Sequence, residues 1–293
     1  VSVAAAWEGV PTGSLLLDYP TAPLPGLPPG PNLRQALAHH LAPWCDEVLF
    51  GGARGGGKTD WLLAEALRRL HQVDGMQAVV FRRTYKELMG PSGIAQRLFS
   101  RIPRHRARWS AQDKRWTFIN DSTLSLSYLE TIEDVRAWLG LELQLMVFDQ
   151  VEQLDPDTYR MVRTSLRASG ELAGRMTRAG YRASSIATAN PGDVGHAWVK
   201  QRFIDPFPDG QGTLFRAAPT EDDPRPGIRC FVKSLLVDNP ALDQGDPGYR
   251  AILEGLPADE RAAHLEGDWN VFKGARFAGF RTGLHVVTPE SMP

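Results

Sequence analysis

Eight consecutive residues, Gly52-Ala53-Arg54-Gly55-Gly56-Gly57-Lys58-Thr59, follow the spacing G-x-x-x-x-G-K-S/T without a gap. Each position answers a need of polyphosphate binding. Glycines let successive backbone N–H groups turn inward around β- and γ-phosphates. Lys58 adds a point positive charge, Thr59 a hydroxyl for Mg²⁺, and a following helix its positive end. The plainer reading is a glycine-rich turn that only joins strand to helix. The context weighs against it: the apolar run Val48-Leu49-Phe50 precedes the loop, and a helix with the stripe Leu63, Ala66, Leu67 and Leu70 follows it. Arg54 either pairs with the γ-phosphate of its own site or reaches solvent.

A second acidic position follows a hydrophobic strand, Leu145-Met146-Val147-Phe148-Asp149. Such a carboxylate holds Mg²⁺ through its water shell, beside the hydroxyl of Thr59; capping a loop is the alternative. Hydrolytic proteins of this division usually carry Glu at the next position, to polarise the attacking water. Here it is Gln150. A carboxamide can orient water but cannot accept its proton. Three readings fit: an engineered Glu-to-Gln exchange that traps nucleotide, transfer of the base role to Glu152, or a site that naturally hydrolyses slowly.

The surrounding pattern supplies the scaffold. A helix is expected over Leu33–Leu41, a buried strand at Ala78-Val79-Val80-Phe81, and helical spacing over residues 84–98. Residues 109–128 alternate apolar and polar around Asn120-Asp121, as in a hairpin or meander. Further expectations are a helix over residues 157–166, a strand over residues 184–188, and a small, mostly helical appendage over residues 227–269. Strand and helix taking turns imply an α/β fold with a mainly parallel sheet flanked by helices. The first thirty-one residues hold seven prolines and read as an extended arm.

Composition excludes several classes. With 42% hydrophobic and 23% charged residues the chain can bury a core. No apolar run reaches the length of a membrane helix, and the beginning of the sequence lacks the pattern of a signal peptide. Two cysteines make no disulfide framework, and the histidines show no zinc spacing. A net charge of -1 means that any nucleic-acid contact must come from a local patch.

Several further segments, in order, resemble one family. They are Ser185-Ile186-Ala187-Thr188-Ala189-Asn190-Pro191-Gly192, then His196-Ala197-Trp198-Val199-Lys200-Gln201-Arg202-Phe203, then Asp238-Asn239-Pro240, Tyr249, Leu253 and Gly267-Asp268-Trp269. Together with the loop and the acidic strand end, they resemble the ATPase portion of a large terminase subunit, the motor that packages DNA into tailed-phage heads. The resemblance runs from about Asn32 to the C-terminus. It implies a P-loop ATPase core over residues 32–206, a helical lid over 207–272 and a linker over 273–293, after the arm 1–31. Family members carry an RNase-H-like nuclease beyond the linker. No carboxylate cluster follows here, so the expectation is a motor half without nuclease chemistry.

The resemblance also implies roles. Mg²⁺ with ATP is held by residues 52–59, with Thr59 and Asp149 at the metal. Catalysis involves Lys58, Asp149 and position 150, and Asn190 couples γ-phosphate loss to the lid. Gln35 stands where the family reads adenine; a solvated helix residue is its plain alternative. Arg136 is the candidate arginine supplied to a neighbour's site, or else a surface helix residue. Arg82 and Arg83 are candidates for phosphate or DNA contact, or for ordinary salt bridging. The implied partners are double-stranded DNA, the portal protein, the small terminase subunit and further copies in a ring on the procapsid, the free chain being monomeric. No membrane is involved, and the location is the host cytoplasm. Two other readings remain: a nucleotide-binding ring or scaffold protein without turnover, favoured by Gln150, and a helicase-like DNA translocase, which needs a second RecA-like domain. A small-molecule kinase is disfavoured, since nothing marks an acceptor site.

Overall fold

The computed structural model describes residues 30–206, 214–216, 219 and 226–271. Apart from Gly30 and Pro31, the expected arm lies outside the described residues, as does the expected linker. The strands are β1 (Glu47–Gly52), β2 (Gln77–Arg82), β3 (Ala107–Ser110), β4 (Arg115–Phe118), β5 (Thr123–Tyr128), β6 (Leu145–Phe148), β7 (Ser184–Ala189), β8 (Phe215–Arg216) and β9 (Ile228–Ser234). They form one sheet in the order β3-β4-β5-β2-β6-β7-β1-β9-β8. From β5 to β9 the neighbours run parallel, and among the described residues antiparallel pairs occur only at the two margins. Every residue of β1, β6 and β7 is buried, as expected where helices cover both faces of a parallel sheet.

Helix α1 (Leu33–Leu41) is closed at its start by a capping box between Asn32 and Gln35. Helix α2 (Lys58–Gln72) buries Trp61, Leu62, Leu63, Ala66, Leu67 and Leu70 against one face of the sheet. The other face packs Phe81, Phe148, Val151, Tyr159 and Phe203. The helical spacing expected over residues 84–98 resolves into two helices, α3 (Tyr85–Met89) and α4 (Ile94–Arg101). Gly90, Pro91 and Gly93 interrupt it, with Ser92 at φ 62° between them. Residues 109–128 form the expected meander. Helix α5 (Ile132–Arg136) follows it, and α6 (Pro156–Val162) continues as a 3-10 turn to Ser165. Helix α7 (Gly170–Arg178) was not expected from sequence. Next come α8 (His196–Val199) with a π-helical continuation to Ile204, and then α9 (Pro240–Asp243), α10 (Pro247–Glu254) and α11 (Ala258–His264).

The expected lid boundary needs correction. Residues 228–234 are not part of a helical appendage. They form β9, paired with β1 along its whole length, and so belong to the core sheet. The helices of the expected lid that the structure describes all follow Ser234. No helix among the described residues is long and apolar enough to cross a membrane.

Two buried carboxylates pin the scaffold. Glu47, at the start of β1, pairs with Arg202 at 2.6 Å, Arg229 at 3.0 Å and Arg163 at 3.3 Å, and accepts from the Tyr159 hydroxyl at 2.7 Å. Glu65 on α2 holds Arg68, Arg69 and His39 at 2.6 to 2.7 Å. Burial alone would raise both carboxyl pKa values, but the arginine charges hold them well below the ordinary range. Removing the acid leaves buried cations uncompensated, so Glu47→Ala is expected to cost about 3–5 kcal/mol, read as a lower urea midpoint. The stabilisation is complete above the unfolded-state pKa of roughly 4.3 and is lost as pH falls toward the depressed folded values. Acid unfolding between about pH 4 and 2 should therefore be steeper in the parent than in Glu47→Ala.

Candidate nucleotide-binding site

Sheet register places the chemistry at the C-terminal ends of three neighbouring strands. Gly51 of β1 stands opposite Ala189 of β7, and Phe148 of β6 opposite Ala187. Residues 52–59, Asn190 and Asp149 therefore emerge side by side. Residues 54–59, Asp149 and Asn190 line a cleft of about 330 Å³, together with Asn239, Leu242 and Tyr249.

The loop's own geometry explains its glycines. Gly52, Gly55 and Gly57 have φ of 132°, 80° and 77°, a region that side chains avoid. A Cβ on Gly52 would lie 2.5 Å from the carbonyl oxygen of Ser234. Outside groups take the loop's carbonyls: Asn239 Nδ2 donates to Gly55 O at 2.7 Å, Ser234 Oγ to Gly56 O at 2.8 Å, and Gln35 Nε2 to Gly57 O at 2.8 Å. With the carbonyls held outward, the N–H groups of Gly55, Gly56 and Gly57 have no acceptor among the described residues. That is the arrangement an anion needs. Ala53 N–H donates to Ser234 O and Arg54 N–H to His264 O, which ties the loop to β9 and to α11.

Lys58 is buried at the base of this nest, with its ammonium donating to the Ala53 carbonyl. Burial lowers its pKa to about 8, aided by Arg54 and opposed by Glu152 and Asp149. Thr59 Oγ1 donates to Asp149 Oδ1 at 3.0 Å, and Thr188 Oγ1 donates to the same oxygen at 2.7 Å. Arg82 Nη1 lies 3.0 Å from Asp149 Oδ2. The sequence left Arg82 open between a phosphate or DNA contact and an ordinary salt bridge; here it clamps Asp149. Arg83 is exposed and does not line the cleft. Thr59 and Asp149 are hard oxygen donors that meet at the mouth of the anion nest. That chemistry fits Mg²⁺ shared with phosphate oxygens.

Gln150 has φ 59° and ψ 58°, a left-handed conformation uncommon for a residue with a Cβ. Its N–H donates to Thr188 Oγ1 at 3.0 Å, and the residue lines the cleft. Glu152, one 3-10 turn later, is only 2% exposed and does not line the cleft. Its Oε1 accepts from the Asn190 N–H at 3.0 Å and from Asn190 Nδ2 at 3.3 Å. Burial raises this carboxyl to about 8, with hydrogen bonds and Lys58 opposing. Glu152 Oε2 and Asn190 Oδ1 are both buried without a hydrogen-bond partner among the described residues. Beyond Asn190, the Gly192 N–H donates to His196 Nδ1 at 3.0 Å, and His196 Nε2 lies 3.0 Å from Trp269 O. His196 thus joins Gly192, two residues beyond Asn190, to the backbone of Trp269 after α11.

Two expected site residues stand apart from the cleft. Gln35 is 5% exposed, and its amide is used twice, by the Asn32 N–H and by Gly57 O. As placed, it buttresses the loop. Arg136, at the end of α5, has a side chain 67% exposed and lies 3.7 Å from Glu133. It does not line its own chain's cleft. Sequence reasoning missed Ser234, Thr188 as a ligand of Asp149, and Arg97, which reaches the cleft from α4. Thr188 lay inside a quoted motif, whereas Ser234 and Arg97 carried no local signal.

No family model matches this sequence, and no curated protein does either. Its fold is similar to solved structures of the large terminase from a thermophilic bacteriophage. The complex of that protein with ATP-gamma-S aligns with a TM-score of 0.56 and 14% identity over 81% of this chain and 52% of the other. Its complex with ADP gives 0.57 and 16% over 81% and 53%. A further crystal form gives 0.58 and 14% over 81% and 53%. The chain spans about half the length of the terminase structures that it matches. At 14% to 16% identity the likeness is one of fold: this chain is built as about half of a phage large terminase is built.

Proposed function

We propose that this chain is the ATPase portion of a bacteriophage large terminase subunit, a motor coupling ATP hydrolysis to translocation of double-stranded DNA into procapsids. The observation that carries the reading is the convergence of Lys58, Thr59, Asp149, Gln150 and Asn190 in one cleft, just beyond the C-terminal ends of the neighbouring strands β1, β7 and β6. The backbone N–H groups of the loop cradle the β- and γ-phosphates, and Lys58 neutralises them. Thr59 and Asp149 would hold Mg²⁺ with ATP, whose charge offsets that of the transferring phosphoryl group. Gln150 positions the attacking water through its carboxamide but cannot take its proton. Asn190 senses the γ-phosphate, and its loss travels through Gly192 and His196 to the backbone of Trp269.

Arg136 is exposed and remote from its own cleft, which suits supply to a neighbouring copy. The active form is then a ring on the procapsid, assembled with the portal protein and the small terminase subunit in the host cytoplasm, while the free chain is monomeric. The test is complementation in a Gln150→Glu background. Arg136→Ala and Lys58→Ala should each abolish phosphate release. Mixed one to one they should recover roughly a quarter of it, because half the chains keep the loop and half their neighbours keep the arginine. Full turnover by Arg136→Ala alone would remove that residue from the mechanism. Gln150 favours a second reading, a ring-forming nucleotide-binding protein without turnover. It predicts ATP-dependent assembly and no phosphate release even with Glu at position 150.

A further inference from the structure

The meander at the sheet margin carries charge and hydroxyls that the nucleotide site does not use. Over residues 104–115 the chain places Arg104, Arg106, Arg108, Lys114 and Arg115 against the single acid Asp113, in a protein of net charge -1. The period of two along each strand sorts the side chains onto two faces. One face holds Trp116, Phe118, Leu124 and Leu126, all buried in the core. The other holds Arg108 and Ser110 on β3, Arg115 and Thr117 on β4, and Thr123 and Ser125 on β5, all exposed or half-buried. Register sets Arg108 opposite Thr117 and Ser110 opposite Arg115. The two arginines are therefore diagonal neighbours, roughly 7–8 Å apart at the backbone. Arg104 and Arg106 extend the charge around the corner before β3, both exposed.

We infer that this open face and its corner are the surface on which the chain holds the phosphate backbone of double-stranded DNA. The choice of occupant rests on the motor reading above; the choice of surface rests on charge and chemistry. Arginines and hydroxyls are the side chains that contact phosphates. The large aromatic rings of the meander lie on the opposite face, Trp116 and Phe118 buried and Trp109 and Tyr128 half-buried against the core, so the open face offers no platform for stacking single-stranded bases. Charge on the edge strand could serve only to discourage edge pairing. That need does not reach Arg115, which lies on an interior strand of the meander, 3.6 Å from Asp113. The surface is also connected to the cleft. Helix α4 leads into it, and Arg97 and Arg101 of that helix both pair with Asp60, in the first turn of α2 beside Thr59.

The test is fluorescence anisotropy with a blunt duplex of about 30 base pairs, titrated from low to moderate salt. The parent chain is compared with Arg108→Ala/Arg115→Ala and with an equal-charge control, Arg178→Ala/Arg261→Ala, placed on α7 and α11. In the first double variant the slope of log affinity against log salt should fall by about 0.9 for each arginine removed. In the control it should not move. Mg-ATP binding without DNA, measured on all three, reports the nucleotide reading separately and should be unchanged. Parent-like affinity and slope in the first variant would overturn the proposal, as would equal losses in both variants. So would tighter binding of single strands or of duplex RNA than of duplex DNA by the parent, and so would a parent that binds no duplex at low salt.

Discussion

Lys58→Ala is expected to weaken Mg-ATP binding by at least about a hundredfold, measured by titration calorimetry. The ammonium is a full positive charge buried at the base of the nest, where the loop's backbone dipoles converge. A charge-assisted contact contributes about 1.5–3 kcal/mol, and in the proposed reading this one reaches two phosphates. The same measurement has a pH arm. Burial leaves Lys58 at about 8 in the free protein, while bound phosphate favours the charged form. Above pH 8 the free site must therefore take up a proton to bind, and affinity should fall as pH rises. In the variant that dependence should disappear. Tight binding by Lys58→Ala would remove the phosphate-loop assignment, and with it the motor reading.

That site was largely legible because its parts are local. A loop of eight consecutive residues carries its own spacing, and β6 is an unbroken apolar run because both its faces are buried. The stripe Leu63, Ala66, Leu67 and Leu70 marked α2 for the same reason: one face had to be apolar. What escaped was long-range. Strand β9 reads poorly because Arg229 and Lys233 interrupt it, and the partner that makes Arg229 tolerable inside the sheet is Glu47, 182 residues away. Helix α7 opens with glycine and is largely exposed, so it leaves little apolar trace. The amide of Gln35 could not be assigned to Gly57 O, nor Glu152 to Asn190, before the fold had brought them together. The same holds for the carbonyl ties from Ser234 and Asn239, which turn a flexible glycine run into an anion nest.

The largest gain of function is expected from Gln150→Glu, which should raise phosphate release by about 10²–10⁴, the usual contribution of a positioned general base. Position 150 lines the cleft, and its left-handed backbone is compatible with either side chain. Glu152 is the rival base, and its surroundings argue against it. It lies behind Asn190, 2% exposed, and its Oε1 is already occupied by two donors from that residue. Burial raises its carboxyl to about 8, so at pH 7 the larger part of it is protonated and only the remainder could accept a proton from water. Its role is to hold Asn190 in place. Replacement by an isosteric amide keeps an oxygen acceptor there, so in the Gln150→Glu background Glu152→Gln should retain turnover within a few-fold. Glu152→Ala leaves the two Asn190 donors without a buried acceptor, at a cost of about 1–3 kcal/mol, and should uncouple γ-phosphate release from movement of the segment after α11. The pH profile separates the roles. A structural Glu152 leaves the profile of Gln150→Glu unchanged when it becomes Gln, whereas a catalytic one takes an ionisation near 8 with it. Turnover by the chain as written that vanishes in Glu152→Gln would make Glu152 the base, and Gln150 only a water holder beside it.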